Sequence, residues 1–128
     1  MKDCIFCKIV AGEIPAAKLY EDKRFIAILD AFPAVEAQFL VIPKAHVTSK
    51  FTDVPDHVLA EAMLVAKKIA KHIDTILKTR SYVVIEGVDV PHLHIKVYPS
   101  QPGKPLVLGP TSNADSDKLA TLAEKLRL

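Results

Sequence analysis

Hydrophobic and polar residues repeat with two different periods along this chain of 128 residues. Short runs rich in β-branched and aromatic residues predict strands at residues 19–20, 25–29, 38–42, 82–86 and 92–98. Apolar residues recur every three to four positions from about 55 to 78, which predicts one long helix. Shorter helices are expected over 4–11 and near the C-terminal end. These elements favour an α+β fold, in which a helix covers an antiparallel sheet.

The long helix carries one apolar stripe that should face the core. Its members are Val58, Ala62, Val65, Ile69, Ile73 and Ile76. We expect Asp53 or Thr52 to cap the helix, with Pro55 in the first turn, because Asp and Thr side chains accept hydrogen bonds from free helical N–H groups. A second apolar pattern, formed by Leu119, Leu122 and Leu126, marks the short terminal helix.

Composition and charge place this chain among ordinary globular proteins. Half of its residues are apolar, a quarter are charged, and the formal net charge is only +2. That charge is too small to indicate binding to nucleic acid or to a membrane surface. No repeat or linker divides residues 1–128, and no apolar run approaches the length of a membrane span. An acid and two cysteines near the start are unlike a signal peptide, so we expect one cytoplasmic domain.

The segment VPHLHIKVYP carries the most unusual polar residues. If it is a strand, His92, His94 and Lys96 share one face, while Leu93, Ile95 and Val97 occupy the other. A neutral imidazole can attack phosphorus and form a covalent intermediate, with a nearby lysine stabilising the phosphate charge. The alternative from the residues alone is an edge strand with exposed polar side chains.

The two cysteines form a Cys4-x-x-Cys7 pair. In a reducing compartment such a pair is a redox couple, half of a metal site, or two core thiols. His46 and either His92 or His94 would complete a Cys2His2 zinc set. A redox role is less attractive because no βαβ pattern surrounds the pair. The other two histidines lie on the long helix and suit surface positions.

Three separated motifs resemble the histidine triad (HIT) family of nucleotide hydrolases and transferases, over residues 4 to about 100. The first is CIFCKIVAGEIP with YED, the second is ILDAFP followed by FLVIPKAH, and the third is HLHIKVYP. The cysteine pair points to the zinc-containing branch of that family. The resemblance implies a small α+β fold that forms a symmetric homodimer through its long helix and adjoining strands.

The resemblance also implies roles for individual residues. A structural Zn²⁺ would be held by four ligands, which are Cys4, Cys7, His46 and His92. His94 would attack the α-phosphorus of a nucleoside monophosphate ester or phosphoramidate, forming a covalent nucleotidyl-His94. Asp30 would bind the ribose hydroxyls. The base of a purine nucleotide would lie among four apolar residues, Ile5, Phe6, Ile9 and Ile28, whose alternative role is plain core.

Four positions depart from the family pattern. Lys96 replaces the third triad histidine, and Val88 stands where a glutamine is usual. Asp89 replaces a hydroxyl residue beside the phosphate, and Ile85 replaces an asparagine. Two hypotheses follow. One is a hydrolase in which His94 and Lys96 are catalytic, and the other is a zinc-stabilised scaffold of weak or no activity that binds a purine nucleotide or a protein partner.

Overall fold

An antiparallel sheet with three helices forms the fold, in a computed structural model that describes residues 3–108 and 111–128. In chain order the elements are α1 (Ile5–Val10), β1 (Lys18–Glu21), β2 (Phe25–Leu29), β3 (Phe39–Pro43), α2 (Asp56–Leu77), β4 (Arg80–Val84), β5 (Ile95–Ser100) and α3 (Ser116–Leu126). The strand order is β1-β2-β3-β5-β4, and every neighbouring pair is antiparallel. The predicted α+β class is therefore confirmed. None of the helices described is long and apolar enough to span a membrane.

The sheet is covered on both faces near its centre. Every residue of β2 and β3 is buried, which explains why FIAIL and FLVIP are continuous apolar runs rather than alternating ones. On one face, Phe25, Phe39 and Val97 pack in the cluster that contains the buried side of α2 and α3. On the other face, Ile26 and Ile42 pack with residues of α1. The segment that carries both cysteines is thus fixed to the sheet by apolar packing.

Helix α2 follows the predicted stripe except at its ends. Ala62, Val65, Ile69 and Ile73 are buried, whereas Val58 is half-buried. Ile76 was expected in the core, but 37% of its surface is exposed in the last turn of the helix.

The predicted helix cap at Asp53 or Thr52 is wrong. Residues Phe51–Asp53 form a separate 3₁₀ turn, and Pro55 is the N-cap without any side-chain bond. The proline ring already fixes φ near its observed −57°, so the helix begins directly after it.

The boundaries of β4 and β5 differ most from the prediction. β4 ends at Val84, two residues early, and β5 begins at Ile95, three residues late. Residues 92–94 stay outside the ladder, and the Leu93 N–H donates to the carbonyl of Val47 at 2.8 Å. The triad histidines therefore precede the strand and lie against the loop that follows β3.

Candidate active site and metal centre

Four potential metal ligands from three parts of the chain meet beside α1. Cys4 caps α1 and Cys7 lies in its first turn, His46 follows β3, and His92 precedes β5. Their ligand atoms all lie within 4.8 Å of one another. The Nδ1 atom of His92 is 3.2 Å from Cys4 Sγ and 3.4 Å from Cys7 Sγ, and His46 Nδ1 is 3.4 Å from Cys7 Sγ. The structure therefore brings together all four residues that the sequence predicted.

The spacing of these atoms fits a tetrahedral zinc ion. With usual Zn–S and Zn–N bond lengths, a tetrahedron has sulfur–nitrogen edges of about 3.5 Å. The observed separations of 3.2–3.4 Å are close to that value. Cys4 Sγ also accepts the Cys7 N–H at 3.3 Å, which orients the first sulfur toward the group.

His92 is prepared to act as a ligand through Nδ1. Its Nε2–H donates to the carbonyl of Pro43 at 2.8 Å, and because a carbonyl only accepts, Nδ1 must keep its lone pair. The ring has no exposed surface, and this burial lowers its pKa, which favours the neutral form that binds metals. The Pro43 carbonyl was not foreseen from the sequence, since any residue could have supplied it.

The Cys7 thiol lies near a second sulfur. Burial and the neighbouring Cys4 both raise the pKa of Cys7 above its ordinary value. A thiolate ligand must lose its proton when a metal binds, so metal binding should depend on pH and should release protons. Two neighbouring thiolates are unfavourable without a counter-charge, and a cation bound by the four residues would supply it.

His94 is held in the opposite orientation to His92. Its Nδ1–H donates to the backbone carbonyl of His92 at 2.8 Å, which leaves the lone pair on Nε2. The ring is buried and lies against Phe6, with ring centroids 4.9 Å apart. Nε2 is therefore the atom through which this imidazole can act as a nucleophile.

A residue that sequence reasoning missed lies beside the His94 imidazole. Glu86 Oε1 is 3.7 Å from His94 Nε2 and 3.6 Å from Lys96 Nζ. The other oxygen, Oε2, accepts the Val88 N–H at 3.1 Å. The sequence pattern predicted Glu86 only as the end of a strand. No sequence signal marked this residue, because its position beside the triad depends on how the loop 85–89 folds.

The turn after Glu86 is closely packed against the segment before α2. Gly87 has φ +61°, and a Cβ built there would be 2.0 Å from the carbonyl oxygen of Ser49. The Ser49 hydroxyl donates to the Gly87 carbonyl at 2.8 Å. A close backbone approach and a positive φ both require glycine here, so this contact fixes the backbone that carries Glu86.

Asp30 lies at the end of β2 with both carboxylate oxygens engaged. Oδ1 accepts the Phe32 N–H at 2.8 Å, and Oδ2 accepts from Gln38 Nε2 at 2.7 Å. Each oxygen keeps a second lone pair, and the side chain is half-buried. The predicted role in ribose binding stays a prediction.

The apolar residues predicted around the base divide into two groups. Phe6, Ile9 and Ile28 belong to the buried cluster between α1 and the sheet, whereas Ile5 is 46% exposed. Only Ile5 offers an open apolar surface to a ligand. The arrangement favours a packing role for the other three, and base binding by any of them stays a prediction.

The loop positions that depart from the family pattern offer no side-chain donor. Val88 is 83% exposed, Asp89 is also exposed, and Ile85 is half-buried against the main core. The structure therefore places the carboxylate of Glu86 beside His94, while the side chain of Asp89 faces solvent.

A cavity of about 530 Å³ lies between α3 and the loop after β2. Asp30 and Gln38 line it, but neither His94 nor Lys96 nor any of the four candidate metal ligands does. The triad and the candidate metal ligands thus lie outside this cavity, which shares only Asp30 with the residues predicted to bind a nucleotide.

Residues 11–103 match the HIT domain. The chain is 40% identical over 127 residues to adenosine 5'-monophosphoramidase HNT1 of Saccharomyces cerevisiae, covering 96% of this chain and 80% of that protein. A zinc-bound histidine triad family protein from Mycobacterium smegmatis superposes with a TM-score of 0.83 at 30% identity, covering 98% of this chain and 93% of that one. A Hit-like protein from Bartonella henselae gives a TM-score of 0.87 at 28% identity, covering 99% and 96%.

Replacing Gly87 by alanine should destabilise the protein more than the same change at Gly12. Both glycines have positive φ, +61° and +81°, but a Cβ at Gly12 would meet nothing within 4 Å. Gly12→Ala should therefore lower the free energy of unfolding by about 1–2 kcal/mol, the cost of a left-handed residue. Gly87→Ala must also displace the Ser49 carbonyl, so we expect a further loss of about 1–3 kcal/mol. Urea denaturation of both variants measures the difference, and equal losses would contradict the tight contact.

Proposed function

Because the chain belongs to the HIT family, we propose that it is a nucleotide hydrolase acting on a nucleoside monophosphate phosphoramidate or ester. The observation that carries this proposal is the orientation of His94, whose Nε2 keeps its lone pair. Glu86 Oε1 lies within 4 Å of both this atom and the Lys96 ammonium, so the imidazole and the cation face the same space. The name of the yeast relative, adenosine 5'-monophosphoramidase, supports a purine nucleoside phosphoramidate as substrate. Family membership confirms the resemblance drawn from the three sequence motifs.

The proposed reaction has two displacements at the α-phosphorus. His94 Nε2 attacks phosphorus, the bond from phosphorus to the leaving amine or alcohol breaks, and the leaving group takes up a proton from solvent. Water then attacks the phosphorus of nucleotidyl-His94 and loses a proton to solvent, the P–N bond to His94 breaks, and the nucleoside monophosphate and the free imidazole are released. Lys96 supplies positive charge to the phosphate oxygens during both steps. As a cation it has no lone pair with which to accept a proton.

The ion held by Cys4, Cys7, His46 and His92 is proposed to be zinc in a structural role. Four protein ligands complete a tetrahedron and leave no position for water or substrate, which is typical of structural sites. The crystal structure of the Mycobacterium smegmatis protein contains zinc. Free thiols in this role fit a reducing compartment such as the cytoplasm.

The purine nucleotide is proposed to enter with its ribose toward Asp30 and its base toward Ile5. Asp30 retains acceptor capacity for ribose hydroxyls beside its two existing hydrogen bonds. The exposed side chain of Ile5 provides apolar contact for the base. Phe6, Ile9 and Ile28 would support this surface from below.

A homodimer formed through α2 and β4 belongs to the same proposal. β4 is the last strand of the sheet, and Tyr82 and Val83 on it are exposed. On the neighbouring α2, Leu64 is 66% exposed. An unpaired edge with apolar side chains is suited to pairing with a second copy of the same strand. A single-chain mass in sedimentation equilibrium would contradict this assembly.

A second candidate function is a nucleotide-binding scaffold with weak or no catalysis. The specific observation in its favour is the loop 85–89, which places the Glu86 carboxylate and no side-chain donor beside the triad. Each missing donor to a developing oxyanion costs about 10²-fold or more in rate. The activity measurement below separates the two functions.

Replacing His94 by alanine should abolish release of adenosine monophosphate from adenosine 5'-phosphoramidate. Loss of a covalent nucleophile typically lowers kcat by at least about 10³-fold. Lys96→Met should lower it by about 10²-fold, because one positive charge at the phosphate is lost.

His57→Ala provides the matched control, since this exposed histidine lies on α2. Single-turnover assays with excess protein measure all three variants against the unaltered chain. Equal turnover in His94→Ala and in the unaltered chain would contradict the proposed nucleophile. No turnover in any protein, together with nucleotide binding, would favour the scaffold.

Replacing one proposed metal ligand should weaken zinc binding. We expect one zinc ion per chain, and His46→Ala should weaken zinc affinity at least about 100-fold because a direct ligand is lost. His57→Ala should keep the full content. Elemental analysis measures the zinc content of each variant. Thermal unfolding with and without a chelator measures how much the bound zinc stabilises it. A His46→Ala protein that retains stoichiometric zinc would contradict the assigned ligand set.

A further inference from the structure

The carboxylate of Glu86 lies where a phosphate would have to approach the nucleophile. We propose that Glu86 is an internal competitor for phosphate, which must leave Lys96 and His94 when substrate binds and which promotes product release when it returns. This inference rests on the proposed function, because it assumes that the phosphate meets His94 Nε2.

The distances support a shared position. A reacting phosphorus atom must come within about 3–3.5 Å of the attacking atom. Glu86 Oε1 is only 3.7 Å from His94 Nε2, so the carboxylate and a phosphate group cannot occupy this space together. The same oxygen is 3.6 Å from Lys96 Nζ, the cation that a phosphate would use.

The hold on this carboxylate oxygen is weak. Oε1 is buried and has no hydrogen-bond partner among the described residues, because both nitrogen neighbours lie beyond hydrogen-bond distance. Oε1 interacts with Lys96 through electrostatic attraction, while the other oxygen, Oε2, accepts the Val88 N–H. A phosphate that forms short hydrogen bonds to Lys96 can therefore displace it.

Glu86 carries its negative charge at neutral pH. Partial burial raises the pKa of this carboxyl, but the Val88 N–H and the Lys96 ammonium outweigh burial, so the pKa lies below its ordinary value. The pair with Lys96 makes the site nearly neutral before a ligand binds. An incoming phosphate thus meets a neutralised lysine and an adjacent like charge, both of which lower its affinity.

Movement of Glu86 is expected at the side chain rather than at the backbone. The close approach of Gly87 to the Ser49 carbonyl fixes the backbone on the C-terminal side. Rotation about the side-chain bonds of Glu86 can carry the carboxylate away from His94 while this contact is kept. The competitor can therefore leave and return without unfolding of the loop.

The experiment measures binding of two ligands, adenosine monophosphate and adenosine, to the zinc-loaded protein by titration calorimetry. Glu86→Gln should tighten binding of adenosine monophosphate by about tenfold and leave adenosine affinity within twofold, because only the phosphate competes with the carboxylate. Asp89→Asn removes the same charge from an exposed side chain nearby and should give a clearly smaller gain, since solvent screens it. In a protein that already carries Lys96→Met, adding Glu86→Gln should no longer tighten the binding of adenosine monophosphate.

Three results would overturn the inference: unchanged adenosine monophosphate affinity in Glu86→Gln, an equal gain for adenosine, or an equal gain in Asp89→Asn. Turnover of adenosine 5'-phosphoramidate is measured separately on the unaltered chain. Turnover without the affinity gain would overturn the competitor and leave the hydrolase. The affinity gain without turnover would support the competitor and contradict the hydrolase.

Discussion

The two hydrogen bonds of the His92 residue determine the geometry of everything around them. Its Nε2–H donates to the Pro43 carbonyl, so Nδ1 faces the two cysteines and His46. Its backbone carbonyl accepts from His94 Nδ1, so the next imidazole keeps its lone pair on Nε2. One residue therefore joins β3, the proposed metal ion and the proposed nucleophile. This also explains why the segment 92–94 stands outside the sheet, since its polar groups are used by side chains and by the loop after β3.

The residues that orient His94 and the residues proposed to contact phosphate belong to different parts of this arrangement. The four candidate metal ligands, Cys4, Cys7, His46 and His92, are all present and close together. The loop before the triad, by contrast, contributes Glu86 and no donor side chain. The residues that orient His94 thus follow the family pattern, whereas the loop proposed to contact phosphate departs from it. Affinity for the nucleotide and rate of its hydrolysis are expected to vary separately for this reason.

The sequence predicted the fold well because its strongest signals are local. The 3.6-residue period of α2 and the fully apolar runs of β2 and β3 each reflect burial that the structure contains. Errors occurred where a specific contact overrides local preference. Pro55 rather than Asp53 is the N-cap of α2, and β5 begins at Ile95 because the preceding histidines form hydrogen bonds elsewhere.

The site was predicted less completely than the fold. The cluster of four candidate metal ligands could be predicted because cysteine and histidine are rare in the chain and the family resemblance selected His92. Glu86 could not be, because its importance depends on the fold of a short loop and on the approach of Gly87 to Ser49. Nothing in the local sequence distinguishes this glutamate from a charged residue at an ordinary strand end. Contacts between distant segments decide such roles, and the hydrophobic pattern of the sequence does not reveal those contacts.

The tautomers of the two triad histidines test the central claim most directly. Long-range ¹⁵N–¹H correlation spectra of the zinc-loaded protein distinguish a protonated ring nitrogen from one that carries a lone pair or binds a metal. The account predicts opposite tautomers, with the proton on Nε2 of His92 and on Nδ1 of His94. A His94 ring protonated at Nε2, with its lone pair on Nδ1, would contradict the account, because the proposed nucleophilic atom would then be unable to attack phosphorus.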